Sequence, residues 1–209
     1  MKRTIILLLG VTILLSGCAK IFYTSDAMPL AKAQKIVAIA PPNVSIAARK
    51  KVDGAALIEQ QRTESKNFQR EMYSWMLKRK MQGNITVELQ DVETTNVILA
   101  NAGFYEGKLL TPGEMCKILG VDGIMTSNYS LSKPMSEGAA IAFAVLVGVW
   151  GATNEATVSL SIHDQSANKM IWNFDHKISS SMSTPARLVD ALMRQASRKM
   201  PYYNNLSQN

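Results

Sequence analysis

The N-terminal segment 1–17 limits which part of the chain can fold. Lys2 and Arg3 form a positive head, and an uncharged, largely apolar run follows it as far as Leu15. A positive head, a short apolar run and small residues at its end are typical of a secretory signal peptide. The run is also shorter than the roughly 20 apolar residues of a transmembrane helix. We therefore predict that this signal is cleaved and that the folded part follows it.

The signal ends in Leu15-Ser16-Gly17-Cys18, which resembles the lipobox of bacterial lipoproteins. The resemblance implies cleavage before Cys18, diacylation of its thiol and acylation of its amine, so membrane lipid becomes a partner. Each buried methylene of an acyl chain contributes about 0.8 kcal/mol to anchoring. Ala19 and Lys20 follow the cysteine, which implies the outer membrane and a periplasmic orientation. The alternative is an ordinary secretory signal followed by a chance cysteine.

Composition predicts one folded domain after the anchor. Hydrophobic residues make up 47% of the chain and charged residues 19%, enough apolar material for a core. The net charge of +7 falls to +5 once the signal is removed, a value compatible with anionic lipid headgroups or the cell wall. No basic stripe interleaved with aromatics is present, so nucleic acid is not an expected partner. The cluster Arg49, Lys50 and Lys51 is interpreted as a solvated patch.

Strand patterns recur along the chain. A buried strand is predicted over 35–40, an alternating strand over 85–89, and a third over 123–131. The clearest hairpin spans 158–174, where Val158, Leu160 and Ile162 alternate with polar residues and Met170, Trp172 and Phe174 alternate on the return strand around a turn at 164–168.

Helix signals separate these strands. A helix over 65–81 places Phe68, Met72, Trp75 and Met76 on one face. A second helix is predicted over 92–100. Thr111 and Glu114 form a capping box for a third helix with an inward stripe of Met115, Ile118 and Leu119, and Thr184-Pro185 starts a fourth with Leu188, Leu192 and Ala196 inside.

Together these patterns predict a small α/β sandwich with a mixed sheet. The predicted domain spans 35–201. A lipidated tether over 18–34 precedes it, because that segment lacks periodicity, and a loose polar tail over 202–209 follows it.

An uncharged stretch between Glu137 and Glu155 interrupts the domain. We define the apolar insertion as residues 138–153. It is either core or a contact element that packs on a partner subunit or dips into a bilayer, and the two readings are left open. The candidate contact residues are Ile141, Phe143, Val145, Leu146, Val147, Val149 and Trp150.

Catalytic motifs are absent from the sequence. It has no phosphate-binding glycine loop and no serine nucleophile motif, and no cofactor or metal is predicted. His163-Asp164 and Asp175-His176 lack a diagnostic metal spacing. The competing reading is a tethered periplasmic hydrolase that uses Cys116 with His163 or His176. Otherwise Cys116 is a small buried apolar residue.

Three segments resemble envelope lipoproteins whose soluble part is similar to the N-terminal domain of TolB, a group that includes CsgG and LpoB. They are 36–42, 116–125 and 158–174. The resemblance implies a non-enzymatic domain that binds an envelope protein and supports assembly or secretion machinery. Formation of a homo-oligomer through the insertion is one of the contact roles left open above. In CsgG the insertion at this place forms part of a membrane barrel. Here it is continuously apolar and has no second counterpart, which favours a smaller accessory protein over a complete pore.

Overall fold

The structure, a computed structural model, describes residues 19–47, 53–131, 155–179 and 185–204. Among these residues, seven strands form one open, mixed sheet in the order β1-β7-β6-β5-β2-β4, and β3 pairs with the C-terminal part of β5. Strands β2, β3 and β4 run parallel to their neighbours, whereas β1, β6 and β7 run antiparallel to theirs. The strands are Lys20–Tyr23, Ile36–Ile39, Asn43–Ile46, Glu88–Leu89, Gly123–Leu131, Glu155–Asp164 and Lys169–Ser179.

Helices cover both faces of this sheet. Helices α1, α2 and α5 pack on one face, which we call the α2 face, and α3 and α4 pack on the other, the α4 face. The predicted α/β sandwich with a mixed sheet is therefore confirmed. The helices α1 to α5 are Ala27–Ala33, Gly54–Met81, Val92–Asn101, Pro112–Leu119 and Pro185–Ala196, and short 3₁₀ turns occupy Phe104–Glu106 and Ser197–Lys199.

The larger core lies on the α2 face. The predicted stripe of α2 is buried there, and Phe68 stacks on Tyr129 of β5 with ring centroids 4.2 Å apart. Leu188 and Leu192 of α5 close the same core. Helix α2 begins at Gly54, eleven residues before its predicted start at Ser65, because Asp53 accepts a hydrogen bond from the backbone N–H of Ala55 and caps it.

The smaller core lies under α3 and α4. The capping box predicted for α4 is present, since Thr111 accepts from the Glu114 N–H and the Glu114 carboxylate accepts from the Thr111 N–H. The predicted inward stripe is partly wrong. Met115 and Leu119 are buried, but Ile118 is 38% exposed and Cys116 takes its place inside.

The predicted tether over 18–34 is wrong for the described residues. Lys20 to Tyr23 pair with β7 in the register Lys20↔Asp175 to Tyr23↔Trp172. Ala27 and Ala31 of α1 are buried in the larger core. The segment has no apolar periodicity because an edge strand and a short alanine-rich helix each bury few side chains. The predicted loose tail over 202–209 is also wrong at its start, because Tyr202 is buried.

Two strand predictions need correction. Strand β4 is only Glu88–Leu89, and Ile85 forms an isolated bridge with Tyr203 instead of continuing it. In the hairpin, the register shifts after Ile162, which pairs with Trp172, so that His163 pairs with Met170. This bulge buries Ile171 and leaves Met170 42% exposed, because one extra residue reverses the alternation of sides.

Coverage of the α4 face is incomplete. Helices α3 and α4 bury Ala38 and Ile124, whereas Asn128, Ser130 and Thr157 further along the sheet are exposed. These exposed positions alternate with buried residues of the α2 face, such as Tyr129 and Val158. Within the described residues, one face of the sheet is thus fully packed and the other is packed only at one end.

Candidate functional site

A groove of about 840 Å³ opens beside the link between β2 and β3. The chain 41–44 forms its floor, the first half of α2 forms one wall, and α3 with the loop 104–110 forms the other. Since β2 is a parallel strand that ends at this link, the groove has the position in which open α/β sheets hold ligands, outside the carboxyl ends of strands.

Hydrogen bonds fix the walls of the groove to the sheet. Ser65 donates to the Pro42 carbonyl over 2.6 Å. Gln69 donates to the Ile39 carbonyl over 2.8 Å, and its amide exchanges two 3.0 Å hydrogen bonds with the amide of Asn96 on α3. The Gln69 side chain therefore joins α2, β2 and α3, so the groove is a preformed feature of the fold.

Exposed apolar side chains line much of the groove. Ile58 on α2 is 52% exposed, Val97 on α3 is 58% exposed, and Leu109 in the loop is 95% exposed. Covering such side chains contributes about 1.5–3 kcal/mol for each one fully buried. Their convergence on one concave surface indicates a binding site, because scattered single apolar residues would carry no such meaning.

Charges in the groove are mainly positive. The lining contains four cationic residues and two acidic ones, namely Arg62, Lys66, Arg70 and Lys108, and Glu59 and Glu93. Arg70 is paired with Glu93 over 3.2 Å at the surface. In the part of the chain that the structure describes, the other three cations form no ion pair and can face an acidic partner.

Tyr105 adds a hydroxyl group whose hydrogen bonding is unsatisfied. Its hydroxyl oxygen is buried and finds no hydrogen-bond partner among the described residues. Burial, and then the negative charge of Glu93, raise the pKa of Tyr105, so the hydroxyl keeps its proton at neutral pH. Leaving a buried hydroxyl unpaired costs about 1–3 kcal/mol, and a ligand atom that accepts its proton would recover this.

The catalytic alternative depends on Cys116, which the structure places in the smaller core with 1% exposure. Burial, followed by the carboxylates of Asp164 and Asp122, raises the pKa of Cys116 to about 12. The thiolate is the nucleophilic form of cysteine, so this residue is protonated at neutral pH. Among the described residues, no hydrogen bond joins it to a histidine.

The two histidines lie apart on the hairpin. His163 is opposite Ile124 at one end, whereas His176 is opposite Val158, five residues away along β6. This spacing separates them by about 17 Å at 3.4 Å per residue. Burial lowers the pKa of both imidazoles. In the described ranges, no three His, Cys, Asp or Glu side chains are grouped to hold a metal ion.

Two predicted sites lie outside the described residues. They are the lipid attachment residue Cys18 with Leu15, Ser16 and Gly17, and the contact residues Ile141, Phe143, Val145, Leu146, Val147, Val149 and Trp150 of the apolar insertion. Both remain predictions. Among the helices that are described, none is long and apolar enough to cross a membrane.

The sequence did not predict the groove. Its lining comes from four separated segments, and Ile58, Val97 and Leu109 belong to no common pattern along the chain. The one local signal was Val97, an apolar residue that lies outside the buried stripe of its helix. The pairing of β2 with β4 and β5, and of β3 with β5, brings these segments together.

No protein-family model and no curated protein matches this sequence. Similar solved structures include lipoprotein GNA1162 from Neisseria meningitidis, with 12% identity, a TM-score of 0.42, and coverage of 78% of this chain and 99% of that one. The LpoB C-terminal domain from Salmonella enterica has 12% identity, a TM-score of 0.35, and coverage of 73% and 94%. The PelC dodecamer from Paraburkholderia phytofirmans has 6% identity, a TM-score of 0.38, and coverage of 85% and 96%.

One of these neighbours, GNA1162, is a lipoprotein by its name. With TM-scores below 0.5, they leave the function of this chain to be argued from its own residues.

Proposed function

We propose that this chain is a lipid-anchored lipoprotein of the cell envelope whose domain is non-enzymatic and binds a partner protein in the groove. The observation that carries the proposal is the groove itself, which combines exposed apolar side chains, unpaired cations and the open hydroxyl of Tyr105. The buried, protonated Cys116 offers no support for the hydrolase alternative.

The shape of the groove favours a peptide segment. Its α2 wall runs from Ile58 to Arg70, which is about 18 Å at 1.5 Å per residue. An extended peptide of about five residues has the same length. Such a segment can place apolar side chains on Val97 and Leu109 while its acidic groups face Arg62 and Lys66.

Photo-crosslinking in native membranes tests the groove. A photoreactive amino acid at Gln61, which lines the groove, should give a defined crosslinked product. Leu109→Ser should reduce that product strongly because it removes a side chain that the partner covers. The matched control is Met81→Ser, since Met81 is 89% exposed and lies at the far end of α2. Equal loss in both variants, or no loss in either, would contradict the proposal.

The anchor is tested separately. Labelled palmitate should enter the wild-type chain and not a Cys18→Ala variant, which should accumulate as an unlipidated precursor or a soluble periplasmic product. Equal labelling of the two would refute the lipobox prediction. Fractionation of the envelope then tests the outer-membrane position that Ala19 and Lys20 imply.

The apolar insertion is proposed as a contact element through which the chain self-associates or meets a membrane. Replacing Phe143 and Leu146 by Asp should leave folding intact and abolish oligomers or bilayer association. In a core, two unpaired buried carboxylates would cost several kcal/mol against a total stability of about 5–15 kcal/mol. Unfolding of the variant, seen by circular dichroism, would contradict the contact role and indicate that the segment is part of the core.

A further inference from the structure

We propose that β1 is a dimerisation edge, at which the β1 strand of a second copy of this chain pairs in antiparallel orientation and makes the two sheets continuous. The contact is separate from the groove, which lies between α2 and α3. It goes beyond the partner binding proposed above, because it concerns how copies of the chain associate. Every residue that carries it lies in the part of the chain that the structure describes.

Strand β1 forms one edge of the sheet and leaves backbone groups free. Among the described strands it pairs with β7 alone. Thr24, the residue after β1, donates its N–H to the Ile171 carbonyl. Because hydrogen-bonded residues alternate along an antiparallel pair, Phe22 also turns its backbone groups toward β7, whereas Ile21 and Tyr23 turn theirs away. Within the described ranges, no hydrogen bond occupies these outward N–H and C=O groups.

This edge lacks the usual protection against pairing. Edge strands are commonly blocked by proline, bulges, charged side chains or a covering segment. Ile21, Phe22 and Tyr23 are consecutive and uncharged, and the β1–β7 register runs without a shift. Phe22 is 55% exposed and Tyr23 is 45% exposed. The one charge in β1, on Lys20, lies opposite Asp175 of β7. An edge of this kind is a template for another strand.

A second copy fits because β1 is self-complementary about Phe22. When Ile21 of each copy pairs with Tyr23 of the other, the outward N–H and C=O groups of these residues are satisfied. The two Phe22 residues then form the central, non-hydrogen-bonded pair, with Cα atoms about 4.5 Å apart. Cross-strand aromatic pairs stabilise sheets. Lys20 lies opposite Thr24 of the other copy, so no like charges meet. The matching partner of β1 is therefore another β1.

The two Phe22 rings would meet on the α4 face. Phe22 pairs with Asn173, which alternates along β7 with buried side chains of the α2 face such as Trp172. The surface around Asn173 is polar, since its amide donates to the hydroxyls of Ser159 and Ser161 over 3.0 and 3.1 Å. Phe22 is thus an exposed ring beside a polar surface, and pairing with a second Phe22 would withdraw both rings from water.

The contact is small, which decides how it is measured. One short strand buries much less than the roughly 1,200–2,000 Å² of a standard interface, so the dimer should be concentration-dependent in dilute solution. A covalent trap is therefore applied to the full-length chain in intact cells, with copper phenanthroline as the oxidant. A disulfide forms only where the two Cα atoms lie about 4.4–6.8 Å apart.

Cysteine substitutions along and away from the edge test the pairing. Phe22→Cys should give a disulfide-linked product of twice the chain mass, several times more abundant than in Met81→Cys. The latter measures random collision, because Met81 is 89% exposed on α2. Lys20→Cys should stay at that background. Its counterpart in the other copy lies opposite Thr24, four residues away, which is about 14 Å at 3.4 Å per residue.

A second pair of variants tests the backbone hydrogen bonds. Ile21→Pro, introduced into the Phe22→Cys chain, removes one outward N–H, and an edge strand tolerates proline where the N–H faces away from the sheet. It should abolish the crosslinked product. Ile21→Ala is the matched control, since it shortens the same side chain and keeps the N–H, and it should retain the product.

The outcomes decide the proposal. A Phe22→Cys product no more abundant than that of Met81→Cys, or matched by Lys20→Cys, overturns the pairing. A product of any other mass means that a different protein occupies the edge, and it overturns the second copy as the occupant. Equal crosslinking in the Ile21→Pro and Ile21→Ala chains shows that the main chain of β1 does not pair, which also overturns the proposal. None of these results bears on the groove.

Discussion

The two faces of the sheet differ in how completely they are packed. On the α2 face, every second residue of β6 from Ala156 to Ile162 is apolar and is buried under α2 and α5. On the α4 face, packing stops near Ile124, and polar residues such as Asn128 and Ser130 follow. The comparison teaches that apolar packing is concentrated on one face of the sheet, whereas the groove opens between α2 and α3.

The largest effect is expected from the α2 face. Phe68→Ala removes a fully buried ring that stacks on Tyr129. We expect a loss of about 3–5 kcal/mol in the free energy of unfolding, since Phe-to-Ala changes in cores cost this much. Urea denaturation of the soluble domain measures it. A loss below about 1 kcal/mol, the range of minor core changes, would break the comparison because it would mean that this face does not carry the stability.

An intermediate effect is expected at a buried polar group. Asp164 accepts hydrogen bonds from Gln34 over 2.7 Å and from Ser166 over 2.7 Å, and Gln34 in turn accepts from Tyr202. Asp164→Asn should cost about 1–3 kcal/mol at neutral pH, because partners of the carboxylate are left unsatisfied. Thermal or urea unfolding measures this cost.

The pH dependence of the same variant sharpens the test. Burial alone would raise the pKa of Asp164, but hydrogen bonds from Gln34, Ser166 and the Ala167 N–H outweigh it and lower the pKa. The ionised carboxylate thus stabilises the fold above the unfolded pKa of about 3.9, and this stability is lost as the pH falls through the folded value. The wild type should therefore lose stability more steeply in acid than Asp164→Asn. Parallel curves would show that this carboxylate does not stabilise the fold.

The smallest effect is expected on the uncovered part of the α4 face. Ser130→Ala changes an exposed residue of β5, and it should alter stability by less than about 0.5 kcal/mol. The same urea experiment applies. A larger loss would show that Ser130 is covered in the whole protein, and the two faces would then not differ in their contribution to stability.

Periodicity predicted the elements that bury a regular face. The stripe of Phe68, Met72, Trp75 and Met76, the strand Gly123–Leu131 and the hairpin follow from spacing, because each element packs against a single surface. Capping chemistry predicted the start of α4, since Thr111 and Glu114 act within one turn. Apolar spacing and helix capping each involve residues that are close in sequence, so both can be recognised from the sequence alone.

Other features depend on partners that are distant in sequence. Strand β1 was missed because its alternation is short and three of its four side chains are exposed. The side of Met170 was predicted wrongly because a bulge has no signature in its own residues. The groove combines residues from Pro41 to Leu110, and no spacing rule relates them. Each of these needed the pairing of strands before it could be recognised.

The pairing of β1 with β7 has a consequence for the order of folding. Lys20 meets Asp175, a partner 155 positions later in the chain. Contacts between such distant residues form only after a large loop has closed, which makes them slow relative to the local α2 and hairpin contacts. The strand next to Cys18 is therefore among the last parts of the chain to find its place. Until it does, β7 is an unpaired edge of the sheet, open to pairing with another strand.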